Sequence, residues 1–150
     1  MGQCWRVNQH GWYSIIVKLN RSYLHDTDVA PVAEDHAAEG TVRLLEEIGK
    51  KGGIKYINAI NLGEIIYSTK MEFGDQKKLE VLASIERLNF TILPVPNPLI
   101  FQAAEYKAEY SLSFADSFAL ASAIEYKATL VTGDPEFKKV EHLVEIVWLS

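Results

Sequence analysis

Cysteine is almost absent from this chain, and histidine is scarce. Cys4 is the only cysteine, so no internal disulfide can form, and the cytoplasm is the expected location. No base or helix start stands beside it in the sequence to activate a thiol. The histidines show no spacing suited to zinc and lie far apart, at His10, His25, His36 and His142. Thiol chemistry and a zinc site are therefore not expected.

Long hydrophobic runs and an excess of basic charge are also missing. The longest apolar run near the start, residues 12–17, is too short for a membrane span or a signal-peptide core, so no membrane partner is expected. The formal net charge of -5 does not attract nucleic acid broadly. A local basic patch could come from either of two lysine groups: Lys50, Lys51 and Lys55, or Lys138 and Lys139.

The glycine and serine motifs of several common enzyme sites are absent as well. There is no G-x-S-x-G nucleophile turn, no G-x-x-x-x-G-K phosphate loop and no G-x-G-x-x-G dinucleotide loop. What the chain does have is 48% hydrophobic residues over 150 positions, which is enough for one compact domain. We therefore expect residues 1–150 to form a single domain.

Strand and helix patterns alternate along the chain. The predicted strands cover residues 14–19, 55–60, 90–95, 129–132 and 144–149, and the predicted helices cover residues 41–49, 61–73, 98–110 and 113–127. A further helix follows residue 74, and Asn61 and Asp75 are predicted helix N-caps. This alternation predicts a three-layer α/β/α sandwich with a central, mainly parallel sheet.

Three acids stand near predicted helix and strand ends. Taken singly, each has a structural interpretation: Glu64 can pair with Asn61 in a capping box, and Asp116 stands in the same relation to Ser113. Asp134, which precedes a proline, fits an N-cap. Taken together, two of them follow strands and Asp116 opens the most apolar helix. The three are thus predicted to meet at the carboxyl edge of the sheet, where open α/β folds bind ligands.

A gathering of three carboxylates has a chemical consequence. Carboxylates beside apolar walls repel one another and raise their own pKa values unless a cation neutralises them. Oxygen ligands of this kind suit Mg²⁺ or Mn²⁺ rather than zinc. A metal held in this way can activate water and stabilise the leaving oxygen of a phosphodiester. The acids therefore favour metal-dependent hydrolysis of a nucleic-acid backbone.

Three sequence blocks carry a family resemblance. The blocks I-N-A-I-N-L-G-E-I-I-Y (57–67), L-S-F-A-D-S-F-A-L-A-S-A (112–123) and A-T-L-V-T-G-D-P-E-F (128–137) resemble PIN-domain proteins, above all the toxin ribonucleases of prokaryotic toxin–antitoxin pairs. The resemblance runs from about residue 40 to the C-terminus, and residues 1–40 match the pattern poorly. It implies a Mg²⁺ or Mn²⁺ centre of four acids, an RNA substrate, an antitoxin protein as partner and a homodimer.

The resemblance also assigns site residues. Glu64, Asp116 and Asp134 match three acids of the family, and Thr132 matches a hydroxyl residue that helps to position the last of them. Asp26, in H-D-T-D-V (25–29), is the interpretation for the first acid. Two other residues stay open for that position: Asp28, and Asn20 at the end of the first predicted strand, which brings no charge.

Two other functions stay open at this level. If Asn20 fills the first position, the chain is a PIN-like interaction module whose catalytic site has degenerated. The pair Asp26 and Asp28, with Asp134 further on, also suggests a phosphatase that uses D-x-D as nucleophile and acid. This second alternative fits less well, because Ala30 stands two places after the second aspartate, where such enzymes carry Thr or Val.

Overall fold

A parallel β-sheet forms the centre of the protein. The computed structural model describes residues 14–18 and 36–149. Its five strands are β1 (Ser14–Lys18), β2 (Ile54–Asn58), β3 (Thr91–Leu93), β4 (Thr129–Thr132) and β5 (Ile146–Trp148). They are ordered β3-β2-β1-β4-β5, and each neighbouring pair is parallel. Because Lys18 is in register with Thr132, the carboxyl ends of β1 and β4 lie side by side.

Helices cover both faces of this sheet. They are α1 (His36–Lys50), α2 (Ala59–Phe73), α3 (Asp75–Arg87), α4 (Asn97–Tyr110), α5 (Phe114–Glu125) and a 3₁₀ helix (Pro135–Val140). On one face Val131 packs against Leu45 and Ile48 of α1, and on the other Leu130 packs against α5. The predicted three-layer α/β/α sandwich is confirmed. None of the helices within 36–149 is long and apolar enough to cross a membrane.

Helix α5 is largely buried, as its sequence predicts. All eight residues from Asp116 to Ala123 are buried, and α4 packs on its outer side through Leu99 and Ala103. Ser113 is its N-cap, and the side-chain oxygen of Ser113 accepts a hydrogen bond from the backbone N–H of Asp116 at 3.1 Å. The sequence therefore predicts this helix and its capping residue correctly.

Two predicted caps are wrong. Helix α2 begins at Ala59, two residues earlier than predicted, and its N-cap is Asn58 instead of Asn61, with Asn58 Oδ1 accepting a hydrogen bond from the N–H of Ile60 at 2.8 Å. Glu64 therefore lies in the second turn of α2 and cannot form the predicted capping box with Asn61. Asp75 is the first residue of α3, and the N-cap is Gly74. Gly74 is the single residue between α2 and α3, and its φ of 90° favours glycine.

Asn58 joins the sheet, α2 and α5 with one side chain. It is fully buried, and while Oδ1 caps α2, its Nδ2 donates to Ser122 Oγ of α5 at 2.8 Å. Both ends of the amide are therefore satisfied inside the protein. Strand β2 ends at Asn58 because the Asn58 side chain caps α2. The hydrogen bond from Asn58 to Ser122 of α5 fixes the position of this cap, and so fixes where α2 begins.

Replacing this residue is expected to be costly. Asn58→Ala should lower the free energy of unfolding by about 2–4 kcal/mol, because a lost cap costs about 1 kcal/mol and a buried polar group without its partner costs about 1–3 kcal/mol. The exposed Asn97→Ala is the control, with an expected change within about 0.5 kcal/mol. Urea denaturation measures both. A double-mutant cycle with Ser122→Ala that shows no coupling would contradict the Asn58–Ser122 hydrogen bond.

Lys55 is a buried cation in β2, beneath α1. It is 7% exposed, and its Nζ donates to the carbonyl oxygen of Leu45 at 3.3 Å. Gly49 leaves room for it, since a Cβ at that position would lie 3.1 Å from Nζ. Burial lowers the pKa of the Lys55 amino group below its usual value of 10.5, while the charge of Glu46 opposes that shift. The predicted role of Lys55 in an RNA-binding patch is wrong, because this amino group faces the interior.

The lowered pKa of Lys55 makes a prediction about pH. Between the folded and unfolded pKa values the unfolded chain binds more protons, so Lys55 should make the protein more stable as the pH rises toward 10.5. Lys55→Met is expected to remove this gain, whereas Lys50→Met on the exposed end of α1 should keep it. Urea denaturation from pH 7 to pH 10 tests this. Parallel stability curves for wild type and Lys55→Met would contradict it.

Candidate functional site

Asp116 lies in the first turn of α5 and is 4% exposed. Its position follows from the cap, because Ser113 binds the backbone N–H of Asp116, and Ser117 Oγ in turn donates to the carbonyl oxygen of Ser113 at 2.8 Å. The capping contact thus uses the backbone N–H of Asp116. Carboxylates are rarely buried to this degree, because burial disfavours the charged form unless the charge is compensated.

Glu64 lies on α2, next to the start of α5. It is half-buried, and Asn61, one helical turn before it, donates from Nδ2 to the carbonyl oxygen of Ala115 at 2.8 Å. Residues three apart on a helix share a face, so Glu64 and Asn61 lie on the same side of α2. Since Ala115 precedes Asp116, this hydrogen bond holds the turns that carry the two acids against each other.

Asp134 follows β4 by two residues and is half-buried. Its backbone N–H donates to Thr132 Oγ1 at 3.1 Å, and its Oδ1 accepts a hydrogen bond from the N–H of Glu136 at 2.9 Å. The predicted N-cap before Pro135 is confirmed as the cap of the 3₁₀ helix. The cap uses one carboxylate oxygen of the two. The fully buried Thr132 fixes the backbone of Asp134 at the carboxyl edge.

The three acids lie around the carboxyl ends of β2 and β4, but they do not complete a metal site. Among residues 14–18 and 36–149, no three Asp, Glu, His or Cys side chains lie close enough to hold a metal ion. Asp26, Asp28 and Asn20 lie outside the described residues. Carboxylate oxygens fit Mg²⁺ or Mn²⁺ in kind. A complete centre needs a further donor, so the shared ligand role of these acids stays a prediction.

Asn61 is the site residue that the sequence does not reveal. Its Oδ1 is buried and accepts no hydrogen bond, although the residue is only 1% exposed and its Nδ2 is paired. The sequence offers one indication, because Asn61 stands three residues before Glu64. The same spacing also fits a capping box between the two residues, which the structure does not form. An unsatisfied buried acceptor one helical turn before Glu64 fits a place where a hydrogen-bond donor or a cation binds.

The lysines predicted near the site are partly occupied by other contacts. Lys51 forms a surface ion pair with Glu47 at 2.9 Å, and Lys139 pairs with Glu136 next to Asp134. Exposed pairs of this kind contribute little to stability and break readily. Lys138 and Lys139 lie in the 3₁₀ helix that follows Asp134, and both are exposed. Of the lysines predicted to form a basic patch, these two stand nearest to Asp134 in the chain.

The comparisons with known proteins agree with this architecture. The family model described as the PIN domain matches residues 23–143. No curated protein sequence matches the chain at a significant level. Solved structures with a similar fold include VapBC2 from Rickettsia felis bound to promoter DNA, at 18% identity and a TM-score of 0.65, with 91% of this chain and 99% of that chain covered.

Two further structures extend the likeness. DNA-bound VapBC from Salmonella typhimurium has 14% identity and a TM-score of 0.66, with 92% of this chain and 99% of that chain covered. Mycobacterium tuberculosis VapC20, described as a sarcin-ricin loop cleaving toxin, has 20% identity and a TM-score of 0.62, with 83% and 92% covered. At these identities the likeness establishes a common fold. With the family model matching most of its length, the chain belongs to the PIN domain family.

Proposed function

We propose that the protein is a metal-dependent endoribonuclease and the toxin of a toxin–antitoxin pair. The observation that carries this proposal is Asp116, a carboxylate that is 4% exposed and is held beside the helix that bears Glu64. Burying a carboxylate to this degree is costly, and a divalent cation bound at the site would lower that cost.

The proposed ligands are Asp116, Glu64, Asp134 and an acid from before residue 36, for which Asp26 is our choice. A divalent cation at this site, Mg²⁺ or Mn²⁺, would supply Lewis-acid chemistry to a phosphodiester and its attacking water. The chain's own residues hold the geometry. The cap by Ser113 orients Asp116, and Thr132 orients the backbone of Asp134.

An RNA substrate and an antitoxin partner are part of the same proposal. The support for RNA is the family membership together with the likeness to VapC20, which is described as cleaving the sarcin-ricin loop. The support for an antitoxin is that several similar structures are VapBC complexes. We also propose that residues 1–150 act as one cytoplasmic domain and assemble as a homodimer, as the resemblance implies.

The test is cleavage of a mixed pool of structured and single-stranded RNA by the purified chain. We expect cleavage with Mg²⁺ or Mn²⁺, none with EDTA, and recovery when excess Mn²⁺ is restored. The variants Asp26→Asn and Asp28→Asn identify the first acid, because only replacement of the true metal ligand should abolish cleavage. A folded protein that cleaves no RNA with either metal would contradict the proposal.

A second candidate function has one observation in its favour. The described residues contain no group of three potential metal ligands, as expected of a PIN-like module whose site has degenerated. In that case Asn20 would stand where active relatives have an acid, and Asn20→Asp should create metal binding where wild type has none. Mn²⁺ titration of both proteins separates the two functions.

A further inference from the structure

We propose that Asn61 is a positioning residue of the acidic site, acting through both ends of its side-chain amide. Its Nδ2 sets the start of α5 against α2, and its Oδ1 receives a hydrogen bond from a water that hydrates the cation-loaded site. The inference rests on the proposed function, because it assumes that Glu64 and Asp116 bind a divalent cation.

The Nδ2 end acts through the backbone. Its 2.8 Å hydrogen bond to the carbonyl oxygen of Ala115 joins residues that are 54 apart in the sequence. Ala115 precedes Asp116, and Asn61 lies one turn before Glu64 on the same helix face. The hydrogen bond therefore connects the two acid-bearing turns directly. Without it, the separation of the two carboxylates would depend on apolar packing, which is less directional.

The Oδ1 end is the more unusual feature. It is buried, it belongs to a residue that is 1% exposed, and it has no hydrogen-bond partner. Ordinary folding leaves few such atoms unsatisfied, and those that remain often mark the place of an ordered water or ion. An amide oxygen accepts hydrogen bonds, so its partner should be a donor, and a water polarised by a cation at Glu64 and Asp116 would donate strongly. Loading the site with a cation would thus satisfy this atom.

Thr69, on the same helix, provides a matched control. Its Oγ1 is likewise buried without a hydrogen-bond partner, and the residue is fully buried. It lies eight residues after Asn61, away from the start of α5. Thr69→Val removes an unsatisfied oxygen of the same kind while keeping the side-chain shape. If an unsatisfied buried oxygen affected only folding, replacing Asn61 or Thr69 should change the unfolding midpoint and leave Mn²⁺ affinity unchanged in both variants.

The experiment compares Mn²⁺ affinity by calorimetric titration with the thermal unfolding midpoint. We expect Asn61→Leu to weaken Mn²⁺ binding by about 10-fold or more, as loss of a residue that orients metal ligands does, whereas Thr69→Val leaves it unchanged. If Asn61→Leu does not fold, Asn61→Ser serves, with a smaller loss expected because a hydroxyl cannot span both contacts. Mn²⁺ should also raise the unfolding midpoint less in Asn61→Leu than in wild type.

Three outcomes decide the inference. Weaker Mn²⁺ binding in the Asn61 variant alone supports it. Wild-type affinity in Asn61→Leu, together with loss of binding in Asp116→Asn, overturns it and leaves the proposed function standing. A wild-type protein that binds no Mn²⁺ overturns both, since there would be no loaded site for Asn61 to organise.

Discussion

Asp116→Asn is expected to reduce RNA cleavage by more than about 100-fold, because the loss of even an indirect partner of a metal ligand costs about 10- to 100-fold. The substitution keeps the size of the side chain, and the cap that orients Asp116 uses the backbone, so α5 should still begin at the same residue. Initial rates of RNA cleavage at saturating Mg²⁺ measure the effect, and circular dichroism confirms the fold.

The control for this variant is Glu125→Gln at the other end of α5. It makes the same change from acid to amide on the same helix, but at an exposed position. Glu125→Gln should cleave RNA at the wild-type rate. Equal losses in the two variants would indicate that net charge, and not a specific carboxylate, governs the activity. Full activity in Asp116→Asn would remove this residue from the site.

Phe137→Ala is expected to lower the free energy of unfolding by about 3–5 kcal/mol, the usual range for truncating a buried phenylalanine. Phe137 is fully buried in the main core cluster, which also contains Ile16 of β1 and Leu130 of β4. It lies in the 3₁₀ helix after Asp134, and its N–H donates to the carbonyl oxygen of Asp134 at 3.2 Å. Its loss should therefore loosen both the core and this end of the site.

Phe101→Ala provides the comparison for this prediction. Phe101 is 69% exposed on α4, so the same substitution should change the free energy of unfolding by no more than about 0.5 kcal/mol. Urea denaturation followed by circular dichroism measures both variants. Similar losses at the two positions would contradict the assignment of Phe137 to the core.

The elements best predicted from the sequence are those whose residues alone decide the structure. The helix from residue 113 is apolar on most of its circumference, the strand at residues 129–132 carries Leu130 and Val131 between two threonines, and the structure buries most of both elements. Ser113 stands directly before that helix, and its side chain caps it as predicted. Composition and local spacing suffice for these elements, and the order of strands and helices then gives the fold class.

The start of α2 shows where local reasoning fails. The sequence I-N-A-I-N offers two asparagines three residues apart, and each is a good N-cap. The choice is made by tertiary contacts, since Asn58 bonds Ser122 and Asn61 bonds the carbonyl oxygen of Ala115. Both partners lie more than 50 residues away. No local pattern could show that one asparagine caps the helix while the other holds α5.

The site residues stay a prediction for the same reason. Their places beside strand and helix ends and the family resemblance point to Glu64, Asp116 and Asp134, which lie in or directly after α2, α5 and β4. Whether they share a cation depends on distances set by tertiary packing and on an acid outside the described residues. Spacing along the chain carries no information on either.

The most direct measurement is a crystal structure with Mn²⁺ bound, using anomalous scattering to locate the ion. We expect one strong peak at the carboxyl edge of the sheet, within ligand distance of Asp116 and of an acid from before residue 36. We also expect Glu64 and Asp134 to face that ion. Well-ordered crystals in saturating Mn²⁺ with no peak at this edge would contradict a metal-dependent nuclease.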